Sequence, residues 1–365
     1  MRLKILHTEA STGWGGQEIR ILKEAEGMRA RGHTIAMAVN RGGQLVERAR
    51  KEGFTVYEIP LTKKHSITAL YQLISLIKKE QIDLINTHSS LDAWLGGIAG
   101  RLTGRKVLRT RHLSTPIRCG WNSRLLYGWL ADQTVTTCQT VARIVCCQAN
   151  LPAKRCISIP TGIMPSALHM EADAAQAFRR QWSIKDTDCV VGTTCVLRSW
   201  KGVQDMLHAA KLLEKHASLK WMIVGGGPCE ALLKQECKNL GLQDLVIFTG
   251  YMDNPYPAIA AMDIFALLST ANEGVSQATL QAAYLEKPLI TTGVGGLPEV
   301  CVPEKTGFVI GIKAPAELAE KALYLASNPE LREKWGKAAK QLVCAQFTME
   351  KTLDQMEEVY RHLIY

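Results

Sequence analysis

The chain has no apolar run near the roughly 18 residues that cross a bilayer. None of its eleven cysteines forms a C-x-x-C pair, and none lies beside histidine at zinc-ligand spacing. Cysteine is therefore read as a small buried hydrophobe in a reducing compartment, even where Cys146 and Cys147 are adjacent. There is no short-period repeat and no low-complexity tract. The apolar stretch in the opening Met1-Arg-Leu-Lys-Ile-Leu-His-Thr8 is too short for a signal peptide and reads as a first strand. The expectation is a cytoplasmic protein. At 47% hydrophobic and 21% charged residues, the composition excludes a disordered chain, a collagen-like chain and a disulfide scaffold.

What is present is enough chain for two domains: 365 residues exceed one ordinary core. The net charge of +10 is uneven. Residues 1–163 hold 24 Lys and Arg against 11 Asp and Glu, while residues 164–365 hold 20 against 23. A basic first half joined to a near-neutral second half points to an anionic partner for the first.

Short β-rich runs alternate with amphipathic helical runs, as in parallel sheets covered by helices. Strands are expected at 3–8, 34–39, 55–60, 83–88, 106–112, 133–138 and 156–160. After a break they resume at 189–196, 220–225, 245–250, 264–269, 288–292 and 307–310. Ile19, Leu22, Ala25 and Met28 give one helical face, and Leu70, Leu73, Ile74 and Ile77 another. The expected organisation is two Rossmann-like parallel-sheet α/β domains, 1–163 and 189–345, facing an interdomain cleft. Residues 164–188, with no strand signal, are taken as the linker. The final helix, 346–365, is expected to pack back on the first domain. Ligands of such sheets bind beyond the carboxyl ends of the strands.

Glycine-rich turns sit at several of those ends. Gly13-Trp-Gly15-Gly16-Gln-Glu18 follows the first strand and opens a helix, whose N-terminus favours negative charge. It is not a dinucleotide fingerprint, because the third glycine position is Glu18 and the second strand ends at Asn40 rather than an acid. Gly225-Gly-Gly-Pro228 is a βα turn. In Val196-Leu-Arg198-Ser-Trp-Lys201-Gly202, two cations beside glycine suit a diphosphate. In Ser269-Thr-Ala-Asn-Glu273-Gly274-Val275-Ser276-Gln277, an acid and a glycine precede a helix whose first amides offer an anion or hydroxyl site. Gly293-Val-Gly-Gly-Leu-Pro-Glu299 follows downstream.

With these segments in this order, the whole chain resembles a GT-B retaining glycosyltransferase of glycosyltransferase family four. The resemblance implies that Gly15 and Gly16 lie against the donor diphosphate and the acceptor. It implies that His112, in Arg109-Thr-Arg-His-Leu-Ser114, stands near the transferred sugar. Lys201 would hold the diphosphate and Glu273 the donor sugar, with Gly274, Val275, Ser276 and Gln277 lining the donor site. Two positions depart from the family's pattern. The second glutamate of the acidic motif is Gln281, which can hydrogen-bond ribose hydroxyls only without charge. The arginine five residues before the lysine is Val196, with Arg198 as a nearer substitute.

The expected reaction moves a sugar from a nucleotide-diphosphate sugar, UDP- or GDP-linked, to a glycan or lipid-linked acceptor of the bacterial envelope, without a metal or other cofactor. Asp186-Thr-Asp188 is read as a turn rather than a metal site, and His7, His33 and His88 as structural histidines. Across Ile117–Leu130, Arg118 and Arg124 interleave with Trp121, Tyr127 and Trp129. With Lys63, Lys64, Lys78 and Lys79, they suit peripheral contact with anionic lipid on the inner face of the cell membrane. An epimerase or hydrolase of the same fold is the alternative enzyme. A basic nucleic-acid-binding protein is the alternative of another class, although no recognised nucleic-acid motif occurs.

Overall fold

The computed structural model describes residues 2–168 and 170–365, leaving Met1 and His169 outside. The chain forms two compact units: Met1–Pro160 with Glu350–Tyr365, and Thr161–Met349. Each is built on one parallel sheet.

The first sheet comprises β1 (Lys4–Glu9), β2 (Thr34–Asn40), β3 (Thr55–Ile59), β4 (Leu84–Thr87), β5 (Lys106–Arg111), β6 (Gln133–Thr136) and β7 (Cys156–Ser158). Their order is β3-β2-β1-β4-β5-β6-β7. The second comprises β8 (Cys189–Thr194), β9 (Leu219–Val224), β10 (Val246–Gly250), β11 (Ile264–Leu267), β12 (Leu289–Thr292) and β13 (Gly307–Ile310). Its order, β10-β9-β8-β11-β12-β13, repeats the first. The central strands read as continuous apolar runs because helices cover both faces; Trp221, Met222, Ile223 and Val224 are all buried. In both sheets the order reverses beside the first strand, between β1 and β4 and between β8 and β11. Such a reversal opens a crevice at the carboxyl ends.

Each expected strand is present within about two residues of its expected limits at most ends. Several other expectations change. Residues 164–188 are not a free linker: they belong to the second unit, where the helix Ala174–Gln181 buries Phe178 and Arg179 donates to the Ala261 and Asp188 carbonyls. One amphipathic turn supplied no β signal, so the sequence there looked unstructured. The first unit ends at Pro160 rather than residue 163. In the helix Gly16–Ala30 the buried face is Glu18, Arg20, Ile21, Glu24, Ala25 and Met28, whereas Ile19 is exposed. The face is rotated because three of these inward positions are charged, which an apolar period does not register.

The helix Met349–Ile364 completes the first unit. Met356 and Tyr360 are fully buried in the core formed by Ile5, Met28, Met37 and Leu108. Burial of two such side chains contributes roughly 1.5–3 kcal/mol each.

Candidate functional site

In the first unit, three neighbouring strands deliver three histidines. His7 lies within β1, while His88 and His112 immediately follow β4 and β5. His7 Nδ1 is 2.8 Å from His88 Nε2, and His88 Nδ1 is 3.0 Å from His112 Nε2. The His7 and His88 rings stack at 5.1 Å. Burial pushes all three pKa values down, and for His88 and His112 the charges of Arg20 and Arg109 push further. Each neutral N···N contact holds one proton, so the outward nitrogen of His112 is set from the inner end of the chain.

Behind this chain lies a buried polar cluster. The Tyr360 hydroxyl donates to Glu24 at 2.5 Å, and Asn86 donates to Tyr360 at 3.2 Å. Arg20 Nε is 3.8 Å from Glu24. His7 and His88, expected as structural histidines, are thus joined to His112. The signal was available in principle: a histidine at or near the carboxyl end of each of three strands, once the strand order is known.

The glycine turn after β1 differs from an ordinary tight turn. Gly15 is extended, at φ −165°, and caps the helix Gly16–Ala30. A Cβ on Gly16 would meet nothing within 4 Å, and one on Gly15 would find only the Glu18 carboxylate at 3.7 Å. Neither conformation nor packing requires glycine here, and the backbone at both positions is open to close approach. The loop is tied to Glu9, which accepts from the Ser11 amide at 2.6 Å and from Gln17 at 2.5 Å. Burial, then the charge of Asp92, pushes the Glu9 carboxyl up to about 7.

A cavity of about 280 Å³ opens beside the histidines, lined among others by Gln17, Ser89, Arg109, Arg111, His112 and Tyr127. Tyr127, expected with the surface aromatics, instead turns inward, and its hydroxyl accepts from Arg111 Nη1 at 3.0 Å. Trp121 and Trp129 remain exposed.

In the second unit, the loops after β8 and β11 lie side by side because those strands pair. The Thr270 amide donates to the Trp200 carbonyl at 2.8 Å. This brings the Lys201 ammonium onto the Glu273 carboxylate, which also accepts from Ser269 Oγ at 2.6 Å. Thr292, at the end of β12, donates to the Ser269 carbonyl. Asn272, at φ 59°, turns the chain into Glu273. Two glycines allow this packing. Gly202 has φ 69°, and its Cβ would stand 2.0 Å from the Leu268 carbonyl oxygen. Gly295 has φ 59°, and its Cβ would stand 1.8 Å from that of Glu273. The Gly225–Gly227 turn likewise packs on backbone, with Leu197 N–H donating to the Gly226 carbonyl.

The remaining expected donor-site residues are placed as follows. Arg198 is exposed, its guanidinium 5.2 Å from the Trp200 ring. The helix Gln277–Tyr284 starts one residue after its N-cap, Ser276, whose hydroxyl accepts from the Thr279 amide. Gly274 and Val275 therefore precede the first turn, and no acid occupies that turn. The Gln277 side chain donates to the Thr161 carbonyl at 2.6 Å. Gln281 is half-buried on the same helix. Asp188 accepts from the Lys185 amide and closes the turn before β8.

Two parallel α/β units of one strand order, with glycine-rich turns at the strand ends, define a GT-B glycosyltransferase fold. A glycosyltransferase from Rickettsia africae matches with a TM-score of 0.90 at 20% identity, over 100% of this chain and 99% of that one. Anabaena Alr3699/HepE, in complex with UDP, matches at 0.87 and 20% identity, over 99% and 100%. Residues 14–166 match the family model for Glycosyltransferase Family 4, and residues 175–342 that for Glycosyl transferases group 1. The chain belongs to this glycosyltransferase family. Among its curated relatives is N-acetyl-alpha-D-glucosaminyl L-malate synthase from Bacillus anthracis, 24% identical over 84% of this chain and 81% of that protein.

Proposed function

We propose that this glycosyltransferase is a retaining, metal-independent enzyme that uses a nucleotide-diphosphate sugar. The observation that carries the reading is the Lys201–Glu273–Ser269 cluster at the carboxyl ends of β8 and β11. UDP is the first candidate nucleotide, since Alr3699/HepE binds it on the same fold. The bond from the anomeric carbon to the diphosphate oxygen breaks, and a bond to the acceptor hydroxyl forms on the same face. The acceptor proton passes to the departing phosphate. Lys201, Arg198 and the amides around 275–277 meet the leaving charge, so no metal is required of the reaction. Glu273 orients donor hydroxyls, Gln281 contacts the ribose without charge, and His112 aligns the sugar. Gly15 and Gly16 leave room for the diphosphate and the acceptor.

The acceptor is read as a glycan or lipid-linked group of the bacterial envelope, as in lipopolysaccharide or other polysaccharide synthesis. Support comes from exposed residues of the first unit: Trp121, Trp129, Ile67 and Tyr71, together with Arg118, Arg124, Lys63 and Lys64. Exposed aromatics among cations suit the face of an anionic bilayer. Among the described residues no helix is long and apolar enough to cross a membrane.

The test is thermal protection by UDP, GDP and ADP, followed by turnover of the matching sugar nucleotides with and without an acceptor extract. One nucleotide diphosphate should raise the melting temperature, and donor consumption should depend on acceptor. Protection by none of the three at millimolar concentration overturns the donor assignment. Failure to sediment with anionic vesicles at low salt overturns the membrane reading.

A further inference from the structure

The cavity of the first unit has an unusual charge balance. Its lining includes Arg109, Arg111 and Arg118 and no carboxylate. Arg109 is 4% exposed and Arg111 7%. Among the described residues neither forms an ion pair. Arg111 donates through Nη1 to the Tyr127 hydroxyl at 3.0 Å, and through Nη2 to the Thr115 carbonyl at 2.6 Å and its hydroxyl at 3.3 Å. Arg109 donates to the Ser89 carbonyl at 2.8 Å and stands 5.2 Å from the Tyr127 ring. All these partners are neutral.

The nearest acids are committed elsewhere. Asp92 shares the field of Arg109, but it accepts from Thr8 Oγ1, from the His88 and Ser89 amides, and from Ser89 Oγ. Glu9 holds the glycine loop through Ser11 and Gln17. The histidines on this wall are held neutral, as described above. Burial, together with the neighbouring charge of Arg109, pushes the Arg111 pKa down. Two like charges thus lie side by side, nearly out of water, without a counter-charge of their own. A protein that keeps such a pair carries a desolvation cost that an anion in the cavity would offset.

We propose that this cavity is an oxyanion subsite, and that the acceptor reaching the first unit carries a phosphate or carboxylate group seated between Arg109 and Arg111. Planar guanidinium forks suit both groups, and Arg118 at the exposed rim adds attraction. At about 280 Å³ the space takes one head group, with the rest of the acceptor outside. The subsite deepens the proposed function, in that it describes the acceptor of that reaction, but its existence is measurable without turnover.

The experiment uses the full chain and four probes in calorimetry at low salt: inorganic phosphate, malonate, glycerol and UDP. Phosphate or malonate should bind saturably, and glycerol should not. Arg111→Met should weaken that oxyanion about ten- to hundredfold and leave UDP affinity within about twofold. Arg118→Ser, on the surface, tests the same subsite if the buried variant does not fold, with a loss of about two- to fivefold that shrinks as salt is raised. Phosphate binding alone identifies a phosphorylated acceptor, and malonate binding alone a carboxylate. Absence of saturable binding by either probe overturns the proposal. So does a parallel loss of UDP affinity in Arg111→Met, which would assign the two arginines to the donor's diphosphate. Loss of UDP binding by the unmodified chain would instead count against the donor reading and leave the oxyanion result standing.

Discussion

Lys201 and Arg111 both stand at the carboxyl end of a strand, in sheets of one order, yet they are treated differently. Lys201 lies against Glu273, while Arg111 has only neutral partners among the described residues. The glycines differ in the same way. Gly202 and Gly295 in the second unit are required by positive φ and by backbone contact, whereas Gly15 and Gly16 in the first meet almost nothing. The second unit is braced before a ligand arrives, and the first leaves both space and charge unfilled. The same topology can therefore supply a pre-formed pocket in one unit and an uncompensated one in the other.

The largest test of the contrast is Lys201→Ala. Losing a cation aimed at a developing anion costs about 2.7–4 kcal/mol of barrier, or roughly a hundred- to thousandfold in turnover. Circular dichroism should remain unchanged, because Glu273 keeps its bond from Ser269. Equal turnover by variant and parent removes Lys201 from the chemistry.

The glycine pair comes next. Gly295→Ala should lower stability by about 1–3 kcal/mol in a denaturant titration, since a backbone carbonyl cannot step aside. Gly16→Ala should stay within about 0.5 kcal/mol of the parent while weakening donor or acceptor binding. Comparable destabilisation by both would erase the distinction between the units.

A smaller effect follows from Glu9. Its pKa is raised in the folded state, so the native protein binds the extra proton between about 4.5 and 7. The contribution of Glu9 to stability is full below this window and falls by about 1–3 kcal/mol as pH rises through it. The lowered histidines tilt stability the opposite way below pH 6.5. The informative quantity is therefore the melting-temperature difference between Glu9→Gln and the parent from pH 5 to 8. It should move in favour of the variant as pH rises, and a flat difference contradicts the assigned shift. Smallest of all, Gln281→Glu should alter donor affinity by about tenfold or less. No change at all would mean that residue 281 does not touch the ribose.

The thirteen strands were legible because buried parallel strands are written as apolar runs bounded by glycine and polar turns. The second-unit cluster was legible through Lys201 and Glu273, whose loops carry their own signals. The first-unit site was much less so. His7, His88, Arg109 and Arg111 are ordinary residues in sequence, and only the order β1-β4-β5 makes them neighbours. The buried charges of the helix Gly16–Ala30 were hidden for a related reason: Glu24, beside Arg20, accepts from Asn86 and Tyr360, 62 and 336 positions away. Local periodicity cannot encode such partners.

That last pairing bears on the order of events at the ribosome. The first 160 residues emerge early, but the helix that plugs their core with Met356 and Tyr360 is translated only after the whole second unit. Until that helix emerges, Glu24 and Asn86 lack their phenolic partner and an apolar face stays open. Such a nascent intermediate is the kind of surface that chaperones hold. Cutting this helix before Tyr360 would thus disturb a site whose residues were all made long before.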